Sequence, residues 1–505
     1  MSSLSVRFFR ARQRVASGSG YFQAALFMAV IVAAAPVAWG QWTQVTSGVE
    51  YQKFTLSGPN NVFVTRMDRA TTSLIIDTLL SNDTIRTGRE KVSAMAARAE
   101  DMIGYWGQEW GKYRYDVVVA VNGDFFNLTT GVPTGGQLIG GWYAKRYPNV
   151  TGGSGFAWTL NRATFIGGCV SHTASKNKVT YPATAQEQYI TDVDRARGTN
   201  ELIIFTPYYD VSTQTDSSGA EVLVQMARPT LLMPTPGYTT GTVRAIYNGA
   251  GNTLIPFDHI VLSATGTAAA ALLSNVSAGS EVRVSQEITH YQDDCATRNS
   301  VDWTKTYASA GGGDVFLKNG APYDIADTNL NPRTAFAYNS TWIFLVVVDG
   351  RAAESIGMNM AQLANFCINY LGAADGINQD GGGSSTMWLD GVVRNHPSDA
   401  TGERTVSNGI MIVQLVENVA RSSAFAAGQN IITTTSATLR RGPGTNWSSS
   451  KSFAALSTGR VMTHPLNGVR AKGQCWWKCE FGSDQGWVSE NEMGTTTRVD
   501  AWNPY

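Results

Sequence analysis

Charge, cysteine and long hydrophobic runs are scarce in this chain of 505 residues. Charged residues make up 15% of the sequence, and 39 basic side chains balance 39 acidic ones. A nucleic-acid partner needs a basic face, so this composition argues against one. The cysteines are few and have no metal-ligand spacing; they are Cys169, Cys295, Cys367, Cys475 and Cys479.

The N-terminus holds the one apolar stretch that approaches membrane length. Arginines at residues 7–14 precede an apolar segment at 24–39, and small residues at 38 and 40 suit a cleavage site. We predict that residues 1–40 are a secretory signal peptide, so the protein is secreted or lies in the periplasm or cell envelope, without stable membrane insertion. The alternative is an uncleaved anchor, but the segment falls short of about 20 residues and Pro36 interrupts it.

Glycine is abundant, with 51 residues, and aromatic residues make up 10% of the chain. This composition favours a strand-rich and loop-rich protein, such as a carbohydrate binder or a protein with a large β-rich core. The pattern predicts strands at 61–67, 73–80 and 116–121, an amphipathic helix over 89–110, and alternating short strands from 150 to 320.

A second strand–helix–strand unit follows this region. Residues 342–348 read as a buried strand, Asn359 and Gln362 form a capping-box pattern, and Gly372 ends the helix. Cys367 is expected to be a buried apolar residue of that helix. A strand at 409–415 closes the unit.

The fold class predicted from these patterns is α+β. We expect a mixed, largely antiparallel β domain with packed helices at residues 41–418, a linker at 419–430 and a small β-barrel at 431–497. Residues 498–505 are a tail.

The most informative motif is Asp380-Gly381-Gly382-Gly383-Ser384-Ser385-Thr386-Met387. Consecutive glycines allow backbone N–H groups to converge on an anion, because no Cβ blocks the approach. A carboxylate beside such a cradle suits a ligand that is part sugar and part phosphate. The run lacks the lysine of a P-loop, and the alternative is a glycine-rich turn without a ligand.

Four phrases together resemble the phosphodiester glycosidase family, over about residues 55 to 417. Besides the glycine run, they are Val121-Asn122-Gly123-Asp124-Phe125-Phe126, Pro332-Arg333-Thr334-Ala335, and Val348-Asp349-Gly350-Arg351, with Gly402-Glu403-Arg404 downstream. The chain departs from the family at Gln379, where a leucine is usual.

The resemblance implies hydrolysis of a sugar-1-phosphodiester, such as an N-acetylglucosamine-1-phosphodiester, in a glycan or cell-envelope polymer. A carboxylate would stabilise the oxocarbenium-like centre, and guanidinium groups and backbone amides would neutralise the phosphate. The candidate catalytic residues are Asp380, Asp124 and Glu403. The candidate substrate-binding residues are Asn122, Arg333, Asp349, Arg351, Gly381, Gly382, Gly383, Ser384, Ser385 and Arg404.

Structural alternatives stand beside these roles. Asp124 would merely close a turn, Arg351 and Arg404 would form salt bridges with Asp349 and Glu403, and His396 would be a solvated loop residue. At least one of the two phenylalanines after Asp124 is expected to pack rather than to stack on sugar. The sequence requires no cofactor; acidic loop oxygens leave Ca²⁺ open, although no EF-hand spacing occurs.

The tail resembles a bacterial SH3 domain, in its opening strand at 437–445 and its closing Gly486-Trp487-Val488. Such modules often bind cell wall or glycan, and the alternative is a folded spacer. Two rival functions also stand beside hydrolysis: a non-catalytic envelope glycan-binding protein, and a factor in exopolysaccharide synthesis or trimming.

Overall fold

The computed structural model describes residues 41–86, 88–148, 155–167, 175–228, 237–286, 306–419 and 421–496. Strands dominate these ranges, as the expected antiparallel β architecture requires. Helices contribute less than the predicted α+β class suggests. Three α-helices are described: α1 (Val92–Ala99), α2 (Gly266–Asn275) and α3 (Met360–Leu371).

The strands before residue 200 are β1 (Thr43–Thr46), β2 (Val49–Leu56), β3 (Asn60–Asp68), β4 (Leu74–Leu80), β5 (Glu90–Lys91), β6 (Ile103–Gly104), β7 (Tyr113–Asn122), β8 (Gln137–Ile139), β9 (Trp142–Lys145), β10 (Gly155–Thr159), β11 (Thr164–Ile166), β12 (Lys178–Tyr181), β13 (Gln186–Tyr189) and β14 (Asp192–Val193). Those from 200 to 419 are β15 (Leu202–Phe205), β16 (Gly219–Met226), β17 (Thr239–Asn248), β18 (His259–Thr265), β19 (Glu281–Ser285), β20 (Thr306–Gly311), β21 (Leu317–Lys318), β22 (Ala321–Pro322), β23 (Arg333–Tyr338), β24 (Trp342–Val348), β25 (Asp375–Asn378), β26 (Met387–Leu389), β27 (Val392–Val393), β28 (Thr405–Val406) and β29 (Asn408–Glu417). The C-terminal strands are β30 (Asn430–Thr433), β31 (Ala437–Arg440), β32 (Ser449–Phe453), β33 (Thr458–Val461), β34 (Val469–Ala471), β35 (Gln474–Phe481), β36 (Asp484–Ser489) and β37 (Met493–Thr495).

Most of the predicted site residues lie at or just beyond the ends of strands in two sheets. Sheet A has the order β1-β2-β3-β24-β23-β25-β21-β22, and sheet B has the order β27-β26-β7-β29-β4, with β6 also paired to β7. Their registers place Val348 opposite Arg333 in sheet A, and Asn122 opposite Gly409 in sheet B. The chain crosses from sheet A to sheet B through the glycine run, between β25 and β26.

The remaining strands form sheet C (β11-β10-β20-β8-β9), sheet D (β13-β12-β19-β17-β16-β18-β15-β14), the small pair β28-β5 and a C-terminal sheet. Among the strand pairs that the structure describes, only β14 and β15 run parallel. Helix α2 packs on sheet D with Ala269 and Leu272 buried. The sequence patterns above did not predict this helix. Its run of alanines after Gly266 is a helix-forming signal.

Helix α1 is shorter than the predicted helix at 89–110. It ends at Ala99, and Asp101 then adopts a left-handed backbone with φ 56°. The chain continues in β6, which pairs with β7. The buried residues that extended the helical pattern, such as Ile103, are therefore core residues of a strand.

Helix α3 confirms the prediction for its segment. Asn359 and Gln362 form the reciprocal capping box, and Gly372 ends the helix with a left-handed φ of 62°. Cys367 is fully buried on its inner face. The two bonds at the N-terminus satisfy backbone donors that the first turn leaves free.

The C-terminal sheet has the order β32-β31-β36-β35-β33-β30-β37, with β34 paired to β35. It encloses its own apolar cluster around Trp477 and Val488. Trp447, Trp476 and Trp487 instead belong to the main core cluster. The C-terminal region is therefore packed against the rest of the chain, and its likeness to an SH3 domain stays a prediction.

Cys475 and Cys479 both lie in β35 and are free, as is Cys367. Cys169 and Cys295 lie outside the described residues, as does the predicted signal peptide at 1–40. In the part of the chain that is described, no helix combines the length and apolar character needed to cross a bilayer.

Candidate functional site

The predicted site residues meet where sheets A, B and C end beside one another. Asp380 follows β25, and its backbone N–H donates to the Gly123 carbonyl, which follows β7. Gly311 at the end of β20 lies against Asp124. Segments far apart in sequence thus converge on two aspartates.

Asp380 is partly buried and has a small set of polar partners. Its Oδ2 accepts a hydrogen bond of 2.6 Å from Ser384 Oγ. Burial raises the pKa of Asp380, and the Ser384 hydroxyl, the Arg404 charge and the Gly381 N–H oppose that shift. This carboxylate is held in place while part of it remains accessible.

Asp124 is more deeply buried, with 2% of its surface exposed. Its Oδ2 accepts the Gly135 N–H at 2.5 Å. Burial raises its pKa to about 6; Gly135 and Lys145 counteract this effect, whereas the charge of Asp380 adds to it. Burial and the neighbouring Asp380 charge thus favour the protonated form of Asp124.

Asn122, a candidate substrate-binding residue, is occupied by contacts within the protein. It is fully buried, and its Nδ2 donates to the Asp380 carbonyl at 2.7 Å. Its Oδ1 accepts from Thr334 Oγ1 at 2.7 Å and from Thr386 N at 3.1 Å. Asn122 therefore ties sheet A to sheet B and positions the Asp380 backbone.

The glycine run does not form the expected cradle of free amides. The N–H groups of Gly382, Ser384 and Ser385 donate to backbone carbonyls, and the Gly381 N–H is used by Asp380. Ser385 has a buried hydroxyl without a protein partner. The run is therefore a tight turn whose amides are largely occupied.

The glycines instead let guanidinium groups lie directly against the backbone. A Cβ on Gly382, which has φ 63°, would lie 2.9 Å from Arg351 Nη2. A Cβ on Gly383 would lie 2.2 Å from Arg404 Nη2 and 2.0 Å from Asp399 Oδ1. Only glycine leaves this space free, so the run brings two arginines to the turn that follows Asp380.

Arg404 and Arg351 are the cations at the first glycine run. Arg404 forms a two-pronged ion pair with Asp399, through Nε at 2.6 Å and Nη2 at 2.8 Å, and its Nη1 lies 3.4 Å from Ser384 Oγ. Arg351 is exposed and donates to Asn331 Oδ1 at 3.2 Å. The expected alternative pairings with Glu403 and Asp349 are not the ones observed.

Arg333 is buried and engaged elsewhere. It donates to the Met358 carbonyl, to Asp327 Oδ2 and to the Asn329 carbonyl, each at 2.8 Å. It therefore holds the 327–329 loop against the start of β23. These contacts do not support its expected role as a phosphate clamp.

Asp349 organises a neighbouring loop. It is 6% exposed and accepts from Asn395 Nδ2 at 3.1 Å and from the His396 N–H at 3.0 Å. Burial raises the pKa of Asp349, and these two donors oppose the shift. His396 itself is exposed, as expected for a loop residue. The contacts of Asp349 position this loop.

Glu403 binds the first turn of helix α1. Its two carboxylate oxygens accept from Ser93 N at 2.8 Å and from Ser93 Oγ at 2.6 Å. A carboxylate at a helix N-terminus satisfies a free donor and favours the helix dipole. The structure thus gives Glu403 a capping role, and its expected catalytic role stays a prediction.

A second glycine run, Gly311-Gly312-Gly313, completes the site and was missed in the sequence. A Cβ at Gly311 would lie 2.3 Å from Asp124 Oδ2, and one at Gly313 would lie 2.8 Å from the Phe125 ring. Phe125 is 38% exposed, whereas Phe126 packs against the main core. The sequence signal that could have revealed this segment is its three consecutive glycines, which repeat the pattern of Gly381-Gly382-Gly383.

Gln379, the position that departs from the family pattern, is fully buried. Neither end of its side-chain amide has a protein partner, and a Cβ on Gly312 would lie 2.9 Å from its Nε2. The second glycine run thus also makes room for this amide. A leucine at this position would bury no polar atom there.

Within the described ranges, no group of three or more His, Cys, Asp or Glu side chains is arranged to hold a metal ion. The suggestion of Ca²⁺ stays a prediction. The charged groups of the site include carboxylates and guanidinium groups, and guanidinium groups can bind phosphate in a forked geometry.

Comparisons with known proteins give a family and three distant structures. Residues 239–413 match the sequence model of the phosphodiester glycosidase family. No curated protein matches the chain significantly. The match contains Asp380, Arg351 and Arg404, whereas Asp124 precedes it.

A crystal structure of a hypothetical protein from Synechocystis has 18% sequence identity and a TM-score of 0.49, over 74% of this chain and 64% of that one. The chain thus spans slightly less than two thirds of that relative. A protein from Burkholderia pseudomallei K96243, described as a predicted exported protein, has 20% identity and a TM-score of 0.46, over 70% of this chain and 74% of that chain.

The catalytic domain of zebrafish N-acetylglucosamine-1-phosphodiester alpha-N-acetylglucosaminidase, auto-inhibited by its pro-peptide, has 14% identity and a TM-score of 0.34, over 74% of this chain and 86% of that one. These structural likenesses are distant, so the family match rests on the sequence model. Residues 239–413 of this chain therefore resemble the phosphodiester glycosidase family in sequence.

Proposed function

We propose that the protein is an exported glycosidase that hydrolyses a sugar-1-phosphodiester in a glycan or cell-envelope polymer. The observation that carries this proposal is the arrangement at the first glycine run, where the Arg404 charge acts on Asp380 and Arg351 lies against Gly382. Two cations at the turn that follows one carboxylate suit a substrate whose phosphate and anomeric carbon are neighbours. The predicted signal peptide supports export.

Asp380 acts on the anomeric carbon. Its negative charge stabilises the oxocarbenium-like centre that develops as the bond between C1 and the phosphate oxygen breaks. It serves either as the nucleophile or as the base for water; in both cases water supplies the hydroxyl of the released sugar. Ser384 and the Asn122 amide hold Asp380 in position, through its side chain and its carbonyl.

Arg351 and Arg404 receive the phosphate. Arg404 is oriented by its ion pair with Asp399 and keeps Nη1 on the side of Ser384. Arg351 is exposed, so it can rotate onto a bound phosphate. Paired guanidinium groups bind phosphate oxygens in a planar, forked geometry and stabilise the departing phosphate.

Asp124 supplies the proton. Its pKa of about 6 keeps it protonated in mildly acidic solution. The departing phosphate oxygen takes this proton, and Asp124 regains it from water. A phosphate is already a good leaving group, so the contribution of this proton donor is smaller than in ordinary glycoside hydrolysis.

The test is release of sugar from a panel of synthetic sugar-1-phosphodiesters, beginning with N-acetylglucosamine. We expect turnover by the wild-type protein and a loss on the order of 10⁴-fold in Asp380→Asn. The Asp390→Asn variant is a matched control, because Asp390 is exposed in a turn and undergoes the same change of charge. Both variants should melt within about 1 °C of the wild type, because neither substitution changes core volume.

Two results would contradict the proposal. Binding of the phosphodiesters without any release of sugar would assign the protein to the glycan-binding class. Full activity in Asp380→Asn would remove this carboxylate from the reaction.

A further inference from the structure

A groove of two cavities lies beside the proposed site. The first has a volume of about 720 Å³ and is lined by residues that include Thr134, Lys145, Tyr189 and Tyr209. The second has a volume of about 510 Å³ and is lined by residues that include Arg197, Thr199 and Thr265. Ala196 and Tyr209 belong to the walls of both.

The first cavity is connected to Asp124 through hydrogen bonds of the intervening backbone. Lys145 Nζ donates to the Gly135 carbonyl at 2.7 Å, and the Gly135 N–H donates to Asp124 Oδ2. Thr134 N donates to the carbonyl of Phe125, the residue after Asp124. A ligand bound at the two aspartates would therefore extend toward this cavity.

The first cavity carries charged groups, most of which are paired. Its lining contains Arg86, Lys145, Arg146, Arg195, Asp192 and Asp194. The three arginines form ion pairs with Asp210, Asp192 and Glu201, whereas Lys145 donates to the Thr134 and Gly135 carbonyls. Tyr189 is 40% exposed at its edge and offers a ring for the apolar face of a sugar. This combination suits a sugar that carries phosphate.

The second cavity is lined mainly by small polar groups. Thr199, Thr213, Thr215, Ser218 and Thr265 contribute hydroxyls, and Arg197 and Asp216 contribute an ion pair of 3.0 Å. Such a wall suits a polyhydroxylated ligand rather than an apolar one. Each cavity has the volume of a small-molecule site, about 300–1,000 Å³, so the two together exceed the needs of one sugar.

We propose that the groove binds several consecutive units of a phosphodiester-linked glycan, so that the protein acts on polymers rather than on single sugar phosphates. This inference rests on the proposed function for the position of the cleaved bond. Lys145 lines the first cavity and also lowers the pKa of Asp124. Tyr189 and Ala196 have no such link to the two aspartates, so we expect them to affect binding of the polymer and not the chemical step.

The experiment uses synthetic N-acetylglucosamine-1-phosphate oligomers with one, two, four and eight repeats. Their dissociation constants for the full-length Asp380→Asn variant are measured by calorimetry, and the turnover of the same oligomers is measured with the wild-type protein. We expect the dissociation constant to fall at least about tenfold between one and four repeats, which corresponds to about 1.4 kcal/mol.

Two substitutions test the groove within the Asp380→Asn background. Tyr189→Ala removes the exposed ring, and Ala196→Trp fills the wall that the two cavities share. Each should abolish the dependence of affinity on length and leave affinity for the single unit unchanged. Tyr247→Ala is the matched control, because Tyr247 is 38% exposed on the same sheet D and lines neither cavity.

Equal affinity for all lengths would overturn the groove proposal, as would a length dependence that survives both substitutions. Length-dependent binding without turnover would sustain the groove and contradict the proposed hydrolysis. Turnover with equal affinity for all lengths would sustain the hydrolysis and contradict the groove.

Discussion

Asp124 and Asp258 are equally buried, with 2% of each residue exposed, but their environments differ. Burial raises the pKa of Asp124 to about 6, and Asp380 adds a like charge. Burial also acts to raise the pKa of Asp258, but His259 and His464 outweigh it and hold that pKa well below its usual range. Asp258 joins three partners, because Gln225 Nε2 also donates to it at 2.7 Å.

The difference shows that the partners of a buried carboxylate, more than its depth, determine what it can do. Asp258 lies where the C-terminal region meets sheet D: His464 Nε2 contacts its Oδ2 at 3.1 Å, and His259 Nδ1 contacts its Oδ1 at 2.7 Å. Asp258 is therefore suited to hold the C-terminal region against sheet D. Asp124 has fewer donors and a charged neighbour, so it is suited to exchange a proton.

The largest expected effect is on stability, in Asp258→Asn. The substitution leaves His259 and His464 without their anionic partner in a buried site, which should cost about 3–5 kcal/mol of unfolding free energy. Because the folded pKa is lowered, this stabilisation is present above the ordinary pKa of a carboxyl group and is lost as pH falls through the lowered value. Thermal and denaturant unfolding at neutral pH measure it.

Turnover of the remaining folded Asp258→Asn protein should equal that of the wild type, since Asp258 lies outside the proposed site. Asp390→Asn again serves as the exposed control. An unchanged unfolding midpoint in Asp258→Asn would show that the cluster does not hold the C-terminal region in place.

The next effect is on catalysis, in Asp124→Asn. Removing a proton donor should lower the turnover rate about 10²-fold, or about 2.8 kcal/mol. In the wild type the rate should fall as pH rises through about 6, because burial keeps Asp124 protonated up to that pH. The amide variant has no such group, so its profile should be flat in this range.

The measurement is kcat/KM against pH for both proteins with one sugar-1-phosphodiester. If the decline near pH 6 persists in Asp124→Asn, another group is responsible for it. A thermal melt of the variant separates lost chemistry from lost folding.

The sequence was sufficient where a signal is local. Asn359, Gln362 and Gly372 fix both ends of helix α3, because capping groups act within one turn of the helix. The predicted helix at 89–110 is too long, because the interaction that limits it is not local. Pairing with β7 takes Ile103 into a strand, and this pairing was not apparent from the local pattern.

The candidate site shows the same division. The link between Asp380 and Ser384 spans four residues and lies within one motif. The bonds of Glu403 to Ser93 and of Asn122 to Asp380 join residues hundreds of positions apart, so the sequence indicated the residue types but not their partners. The packing of Arg351 and Arg404 against Gly382 and Gly383 was also apparent only from the folded structure.

The smallest expected effect concerns Glu403, a third kind of carboxylate that is partly buried and caps a helix. Glu403→Ala should cost about 1 kcal/mol of unfolding free energy, because helix α1 loses its acceptor at Ser93. Turnover should stay within about twofold of the wild type, a change of about 0.4 kcal/mol in activation free energy. A loss of activity comparable to that of Asp124→Asn, with little change in the melting temperature, would instead return Glu403 to the catalytic group. The paired measurement of unfolding and turnover therefore decides whether Glu403, which is adjacent to Arg404 in the sequence, takes part in the reaction.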